Sequence, residues 1–476
     1  MPQLSAWPPS GTGTAQQPMT VEELEMRLNA QVGLGGGVSV GDLEPTEAEK
    51  ARMRKTYEDV RAIVLKAFPH GRLEVFGSAA TPLMVRNSND IDMTLLMDDL
   101  MQLPDDPESD PEDDASTDAN PPAPDGQKPG GTSDAPPGGS RVVVVPVGGK
   151  SPPGPGRGAA QTDGGPEGAT PARKRRPPKR GQRTKAHAKV VEEVAAVIRE
   201  AGMEGVEAIT TSRIPLLKFK HRETRVSCDI TINNLLALYN TRMLADYCRI
   251  DDRLRRITMI IKHWAKQRAI NEAYRGTLSS YCYAVMAIHL LQTQDPPILP
   301  CLQDPRRNFP ERIVNGYNTG YDEAAVDSLT NFGQQNQMGL GLLLWNFFLY
   351  WHVRHDYLSD VVSIRTPGGF VSKEQKGWTK RQGLDRHLIC IEDPFNVDHD
   401  LGRVVDKDSM KILGKEFRVA VETLRYNGDH PLDTLFFRFA GNKLSREQQK
   451  ATMGGRRRQG GGEQQQGNGA PVRRVA

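Results

Sequence analysis

Residues 98–185 interrupt whatever fold this chain of 476 residues adopts. They hold 17 of its 34 prolines, between Pro104 and Pro178, and no aromatic residue, so the stretch cannot bury enough apolar surface to offset the entropy of ordering it. Patterned sequence lies on both sides, which makes this an insertion. Residues 98–114 carry nine acidic residues and no basic one, whereas residues 173–189 carry nine basic residues and no acidic one, so its ends attract each other. Arg173-Lys174-Arg175-Arg176 with Lys179-Arg180 reads either as an RNA-contacting or nuclear-import segment or as a solvated linker.

The ends are similarly poor in core-forming residues. Residues 1–40 are rich in Gly, Pro, Ser and Gln, and residues 446–476 form a Gly/Gln/Arg tract; both are expected to be disordered. Cys228, Cys248, Cys282, Cys301 and Cys390 show neither a disulfide framework nor zinc-ligand spacing, which predicts a reducing compartment. The first forty residues hold no apolar signal core, and the lack of Lys or Arg before Arg27 argues against a mitochondrial transit peptide. The longest apolar stretch, residues 339–351, falls short of the roughly 20 needed to span a bilayer, so no membrane partner is expected. A net charge of +3 by itself implies no nucleic-acid partner.

A helix is predicted after the capping pair Thr46 and Glu49, with Met53, Tyr57, Val60 and Val64 at helical spacing and Pro69 as its stop. Strands are predicted at 72–76, 90–96, 206–210, 214–220 and 225–232, with a helix at 190–201. From Asn240 the pattern becomes helical, at 241–268, 277–292 and 338–352, with short strands at 361–364 and 387–391. The predicted organisation is a sheet domain from 41–98 and 186–238, a disordered insertion at 99–185, and a mainly helical domain at 239–445.

Residues i and i+2 of a strand share a face, so Asp90 and Asp92 project together, opposite Ile91 and Met93. Asp229 stands the same way against Val226, Cys228, Ile230 and Ile232. A lone Asp-x-Asp strand is ordinarily a solvated edge. Three carboxylates brought together by strand pairing would repel one another unless cations neutralised them, and a pair of Mg²⁺ ions, with Mn²⁺ as the alternative, suits such oxygen ligands.

Phe76-Gly77-Ser78, eleven residues, and then Asp90-Ile91-Asp92-Met93 resemble the signature of the DNA polymerase β-like nucleotidyltransferase superfamily. Downstream, Cys228-Asp229-Ile230 with Asn233-Asn234, Asn240-Thr241, Lys262-His263-Trp264-Ala265-Lys266, Gly276-Thr277-Leu278-Ser279-Ser280-Tyr281, Pro296-Pro297 and Ile391-Glu392-Asp393-Pro394-Phe395 are similar to terminal uridylyltransferases and template-independent poly(A) polymerases. This resemblance covers most of residues 72–440 outside the insertion. It implies an α+β fold in which a nucleotidyltransferase sheet domain and a helical, PAP-associated domain flank a catalytic cleft.

It further implies addition of nucleotides to an RNA 3′ end, with Asp90, Asp92 and Asp229 as catalytic metal ligands. Gly77 and Ser78 would approach the triphosphate, Asn240 the nucleotide sugar and base edge with Thr241 also in the nucleotide site, Lys262 and Lys266 the triphosphate, Ser280 a phosphate, and Tyr281 would stack on the base. Lys262 and Lys266 share a helix face; Trp264 between them is assigned to the core. His399 matches a histidine of uridylyltransferases that implies a block to purines, and Asp393 an acceptor for the uracil N3–H. Asn396 departs from the pattern, standing where relatives carry an acidic residue. UTP is the expected substrate, with ATP the alternative, and an inactive RNA-binding scaffold is the reading from another class. The expected compartment is the cytoplasm, with the nucleus as alternative through residues 173–180; protein partners are not legible.

Overall fold

The computed structural model describes residues 20–33, 40–101, 182–426 apart from Arg213 and Leu384, and 431–436. The expectations for the bulk of the insertion, residues 102–181, and for the tail, residues 446–476, fall outside these. The chain opens with α1 (Val21–Gly33), α2 (Val40–Leu43) and the long α3 (Glu47–Ala67). Thr46 starts α3 as its composition predicts: its hydroxyl accepts the Glu49 N–H at 3.2 Å while the Glu49 carboxylate accepts the Thr46 N–H at 2.7 Å. Met53, Val60 and Val64 are buried on one stripe, and the Tyr57 hydroxyl donates to the Leu73 carbonyl at 2.8 Å.

Five strands follow, β1 (Arg72–Phe76), β2 (Asp90–Leu96), β3 (Glu204–Ile209), β4 (Leu216–Lys220) and β5 (Ser227–Ile232), with α4 (Asp98–Met101) and α5 (Gln182–Glu200) between β2 and β3. They form one sheet in the order β1-β2-β5-β4-β3. Only β2 and β5 run parallel, and such a pair needs a long crossover, here the segment containing the insertion and α5. Val60, Val64, Ile91, Met93, Val191, Val194, Ile198, Cys228 and Ile230 make a core between the sheet and α3 with α5. β1 and β2 have the bounds their alternation predicts. β5 starts two residues later than expected because Arg225 takes a left-handed backbone, φ 61°, which no strand accommodates.

The helical part comprises α6 (Leu235–Ile250), α7 (Asp252–Gln267), α8 (Ser280–Gln292), α9 (Leu340–Leu349), α10 (Lys373–Lys376), α11 (Lys407–Tyr426) and α12 (Pro431–Leu435). It also carries the two-stranded ribbons β6 (Ile313–Val314) with β7 (Tyr317–Asn318), and β8 (Asp360–Val362) with β9 (Phe370–Ser372). The single helix expected over 241–268 is two, because Asp251 caps α7 by accepting the Arg253 N–H at 2.9 Å. Trp264 is buried with Phe348 edge-on at 4.7 Å and Phe417 stacked at 5.7 Å. Residues 387–391 contribute an isolated bridge, Ile391 to Val362, instead of a strand. The fold is α+β, and no helix among the described residues is long and apolar enough to cross a membrane.

Of residues 1–40, 1–19 and 34–39 lie outside the described residues, while over 21–33 α1 stands where disorder is expected. Thr20 and Glu23 exchange hydrogen bonds at its start, 3.0 and 3.1 Å, a capping box the composition of this segment obscures. α9 begins at Gly339 with no side-chain cap of its own. From α1, Glu25 Oε1 accepts the Gly339 N–H and Asn29 Oδ1 the Gly341 N–H, each at 3.0 Å. The double variant Glu25→Ala, Asn29→Ala is therefore expected to lower stability by about 1–2 kcal/mol, one lost cap each, read as a drop in the unfolding midpoint with nucleotide addition at low temperature unchanged.

Candidate active site

Backbone pairing assembles the carboxylates. β2 and β5 are in parallel register with Asp92 directly opposite Asp229, and Asp90 opposite Ser227. Their alternate residues, Ile91, Met93, Cys228 and Ile230, are at most 2% exposed, which drives the aspartates to the other face. The crowding appears in the titration: burial, then the Asp229 and Asp90 charges, push the Asp92 carboxyl up to about 7, against the pull of Lys218 and Lys262. A site that cannot hold its own negative charge, built wholly from hard oxygen donors, fits a divalent cation such as Mg²⁺.

Two lysines bear on this cluster. Lys218, on β4 opposite Asp229 in the sheet register, places Nζ 2.6 Å from Asp229 Oδ2; nothing in the sequence motifs singled it out, although it is the strand neighbour of the third aspartate. Lys262, on α7, is buried, donates to the Leu83 carbonyl at 2.7 Å, and is drawn down to about 8 by burial. Lys266, one turn on, lies outside this buried contact.

Gly77 follows β1 with φ 71°, a conformation that favours glycine, and a Cβ there would stand 2.9 Å from Asp92 Oδ2. The turn has to be bare to let the carboxylate in. Its N–H is already taken: Thr241 Oγ1 accepts it at 2.8 Å and in turn donates to Ala237 O at 2.7 Å. The Gly77 amide is thus engaged within the fold, and Thr241, buried in α6, holds the turn against the helix. Asn233 and Asn234 act likewise through the backbone: the Asn233 amide bridges Met97 N and O, and Asn234 caps α6.

The residues expected to meet the nucleotide include a second constellation. Asn240, beside Thr241, has a shielded Oδ1 with no hydrogen-bond partner among the described residues. Ser280 opens α8 and bonds Asn271 at 2.8 Å. The Tyr281 hydroxyl is shielded without a bond of normal geometry, and burial, with Asp393 beside it, holds it well above the usual phenol range. Asp393 is raised by burial even though its Oδ1 accepts the Phe395 and Asn396 N–H groups at 2.9 Å. Its own N–H donates to the His399 carbonyl at 3.1 Å, so Tyr281, Asp393 and the half-buried His399 are linked. Ser78 lies in the turn after Gly77, half-buried.

Residues 38–249 match the family described as poly(A) RNA polymerase, mitochondrial-like, central palm domain, and residues 339–399 match the Cid1 family poly A polymerase domain. Among similar curated proteins of Schizosaccharomyces pombe, the poly(A) RNA polymerase cid13 is 36% identical over 49% of this chain and 40% of its own length. The terminal uridylyltransferase cid1 is 34% identical over 49% of this chain and 61% of its own. Human terminal uridylyltransferase 4 is 34% identical over 48% of this chain and 14% of its own. The chain thus spans about half the length of the fission-yeast relatives it matches. A solved structure of a cytoplasmic RNA terminal U-transferase shares the fold, with a TM-score of 0.61 over 84% of this chain and 95% of the other at 24% identity. The Cid1 poly(U) polymerase with Mg and 3′-dATP gives 0.60 over 84% and 96% at 25% identity. Polymerases of this kind generally work with divalent metal ions. The chain belongs to the family of terminal uridylyltransferases and Cid1-type poly(A) polymerases.

Proposed function

We propose that this protein transfers UMP from UTP to RNA 3′ ends, with Asp90, Asp92 and Asp229 holding two Mg²⁺ ions. The observation that carries this reading is the parallel register that sets Asp92 against Asp229, with Asp92 pushed up to about 7 by burial and by the Asp229 and Asp90 charges. When bound, the ions would activate the RNA 3′ hydroxyl and stabilise the leaving pyrophosphate. The chain's own residues do the positioning. Gly77 leaves room for the Asp92 carboxylate, Thr241 fixes that turn, and Lys218 offsets the charge on Asp229. Lys262 and Lys266 on α7, with Ser78 and Ser280, take the triphosphate; Lys262 would use donors beyond the one given to Leu83. Asn240 meets the sugar or base edge and Tyr281 stacks on the base.

UTP is preferred in this reading because half-buried His399, on the loop that Asp393 ties together, narrows the base pocket against a purine, while Asp393 lies near enough to Tyr281 to accept from the uracil N3–H. A poly(A) polymerase is the second reading, favoured by Asn396 in place of an acidic residue and by the 36% identity to cid13. Incubating the protein with a short RNA and each nucleoside triphosphate separately decides between them. UTP is expected to be used best, and His399→Ala to raise ATP use relative to UTP by about tenfold. Better incorporation of ATP by the wild type would establish the second reading.

The domain division also stands as a proposal: catalytic residues 41–98 and 186–238 flank a dispensable insertion, with residues 239–445 forming the helical part. Replacing residues 104–172 by a short flexible linker should leave extension of a short oligonucleotide intact; loss of the folded state would show that the insertion packs. We assign the enzyme to the cytoplasm, which fractionation of cells expressing it would test.

A further inference from the structure

The loop of residues 393–399 carries both Asp393 and His399, and its internal bonds fix its shape but not its aim. Asp393 Oδ1 caps Phe395 and Asn396, the Asp393 N–H reaches His399 O, and the His399 N–H reaches Asn396 O at 2.9 Å. A closed set of this kind could tilt as one piece. Its near end is held from outside by Gln303, whose amide donates to the Pro394 carbonyl at 2.9 Å. Its far end is held by Asp400, which pairs with Glu392 across the base and accepts the Ile391 N–H at 3.0 Å, and its tip by Lys376.

Lys376 closes α10, a single turn that Ser372 starts with a capping box and Gly377 ends in a left-handed conformation. One residue type explains the arrangement. The ammonium gives one hydrogen to Glu392 Oε1 at 2.9 Å and another to the Val397 carbonyl, two residues before His399. Its head lies 5.0 Å from the Trp378 ring centre, and Trp378 stacks on His387 at 5.3 Å. Glu392 is fixed in turn: it is 4% exposed, accepts from the Ser363 hydroxyl, and its N–H bonds Val362 O at 2.9 Å. Lys376 therefore connects the tip of the loop to a rigid, buried carboxylate.

We propose that Lys376 is a positioning residue for base choice: it touches no substrate, and sets where His399 stands by clamping the Val397 carbonyl to Glu392. This rests on the UTP-transfer reading above. Released at Val397 but still held at its base by Pro394 and Asp400, the tip of the loop would shift, so the His399 side chain would lose its set direction while Asp393 stayed near Tyr281. Base discrimination would fall and the carboxylate chemistry, on another part of the fold, would continue.

The substitutions separate the clamp from its support. Lys376→Met alone leaves Glu392 buried without its cation and could fail to fold, so the decisive variant is Lys376→Met with Glu392→Gln, compared with Glu392→Gln alone and Lys376→Arg. For the double variant, the UTP-to-ATP ratio of kcat/KM is expected to fall about tenfold through a higher KM for UTP, with kcat for UTP within about twofold and weaker UTP binding by calorimetry. Glu392→Gln, which keeps the hydrogen bond to Val397, and Lys376→Arg should keep the wild-type ratio. An unchanged ratio in a folded double variant, an equal fall in Glu392→Gln alone, or a loss confined to kcat overturns the proposal. A wild-type protein that adds neither nucleotide overturns the transferase reading and this inference with it.

Discussion

Asp229→Ala and Asp92→Ala are each expected to reduce nucleotide addition by about 10³-fold or more while the protein stays folded, because a missing metal ligand removes charge neutralisation that the transition state needs. Fold retention is itself a prediction with a sign. The Asp92 carboxyl is raised by burial and by Asp229 and Asp90, so its ionised form costs stability as pH climbs from the ordinary carboxylate range toward 7. Without metal at pH 8, the Asp92→Ala protein should unfold no earlier than the wild type. Added Mg²⁺ should raise the wild-type midpoint and leave those of both variants where they were. Primer extension on gels and thermal unfolding with and without Mg²⁺ read these outcomes, and near-normal extension by a folded Asp229→Ala protein would remove Asp229 from the metal site.

A second large effect is expected on acidification. His289 is buried between Tyr350 and Phe370, at ring-centre distances of 5.3 and 4.9 Å, with neither ring nitrogen in a hydrogen bond of normal geometry. Burial drags it down to about 3, with only the Gly369 backbone opposing. His355, whose Nδ1 meets the Tyr350 hydroxyl at 2.8 Å, is also brought to about 3, by burial, then by His289 and Lys373. Both folded values lie below the unfolded one of about 6.5, so the unfolded chain binds more protons in the window between them. Stability is complete above pH 6.5 and is lost as pH falls through that window toward 3, by about 1.4 kcal/mol per unit for each histidine. At pH 5 the two together cost about 4 kcal/mol. Midpoints measured from pH 8 to 5 should show this slope, and His289→Leu should roughly halve it; a flat profile would mean that the pair relaxes to let water in.

Features written in local sequence were the legible ones. β1 and β2 run where alternation places them, and the Thr46–Glu49 box begins α3, because each is decided by residues a few positions apart. The face shared by Asp90, Asp92 and Asp229 was readable for the same reason, whereas their roles came through the family resemblance. What escaped depended on distant partners. Lys218 matters only because β4 pairs with β5, and Thr241 turned out to serve Gly77 across the fold. α1 hides in a Gly- and Pro-rich segment and meets the start of α9 more than three hundred residues away, at Gly339 and Gly341. α11 was missed outright, despite burying Leu413, Phe417 and Leu424 on one side.

The parallel pairing of β2 with β5 also imposes an order of assembly during synthesis. Met93 and Thr231, bonded across that pair, lie 138 residues apart in the chain. At translation rates of ~5–20 residues per second, β2 leaves the ribosome on the order of 10 s before its partner exists. β1 can pair with it at once, but the backbone N–H and C=O groups of the other edge of β2 wait unpaired, beside its face of Ile91, Met93 and Leu95, while the proline-rich segment is made. That interval is when the nascent chain is most open to edge-to-edge association, and a chaperone that shields a strand bearing three alternating aliphatic side chains would act on it then.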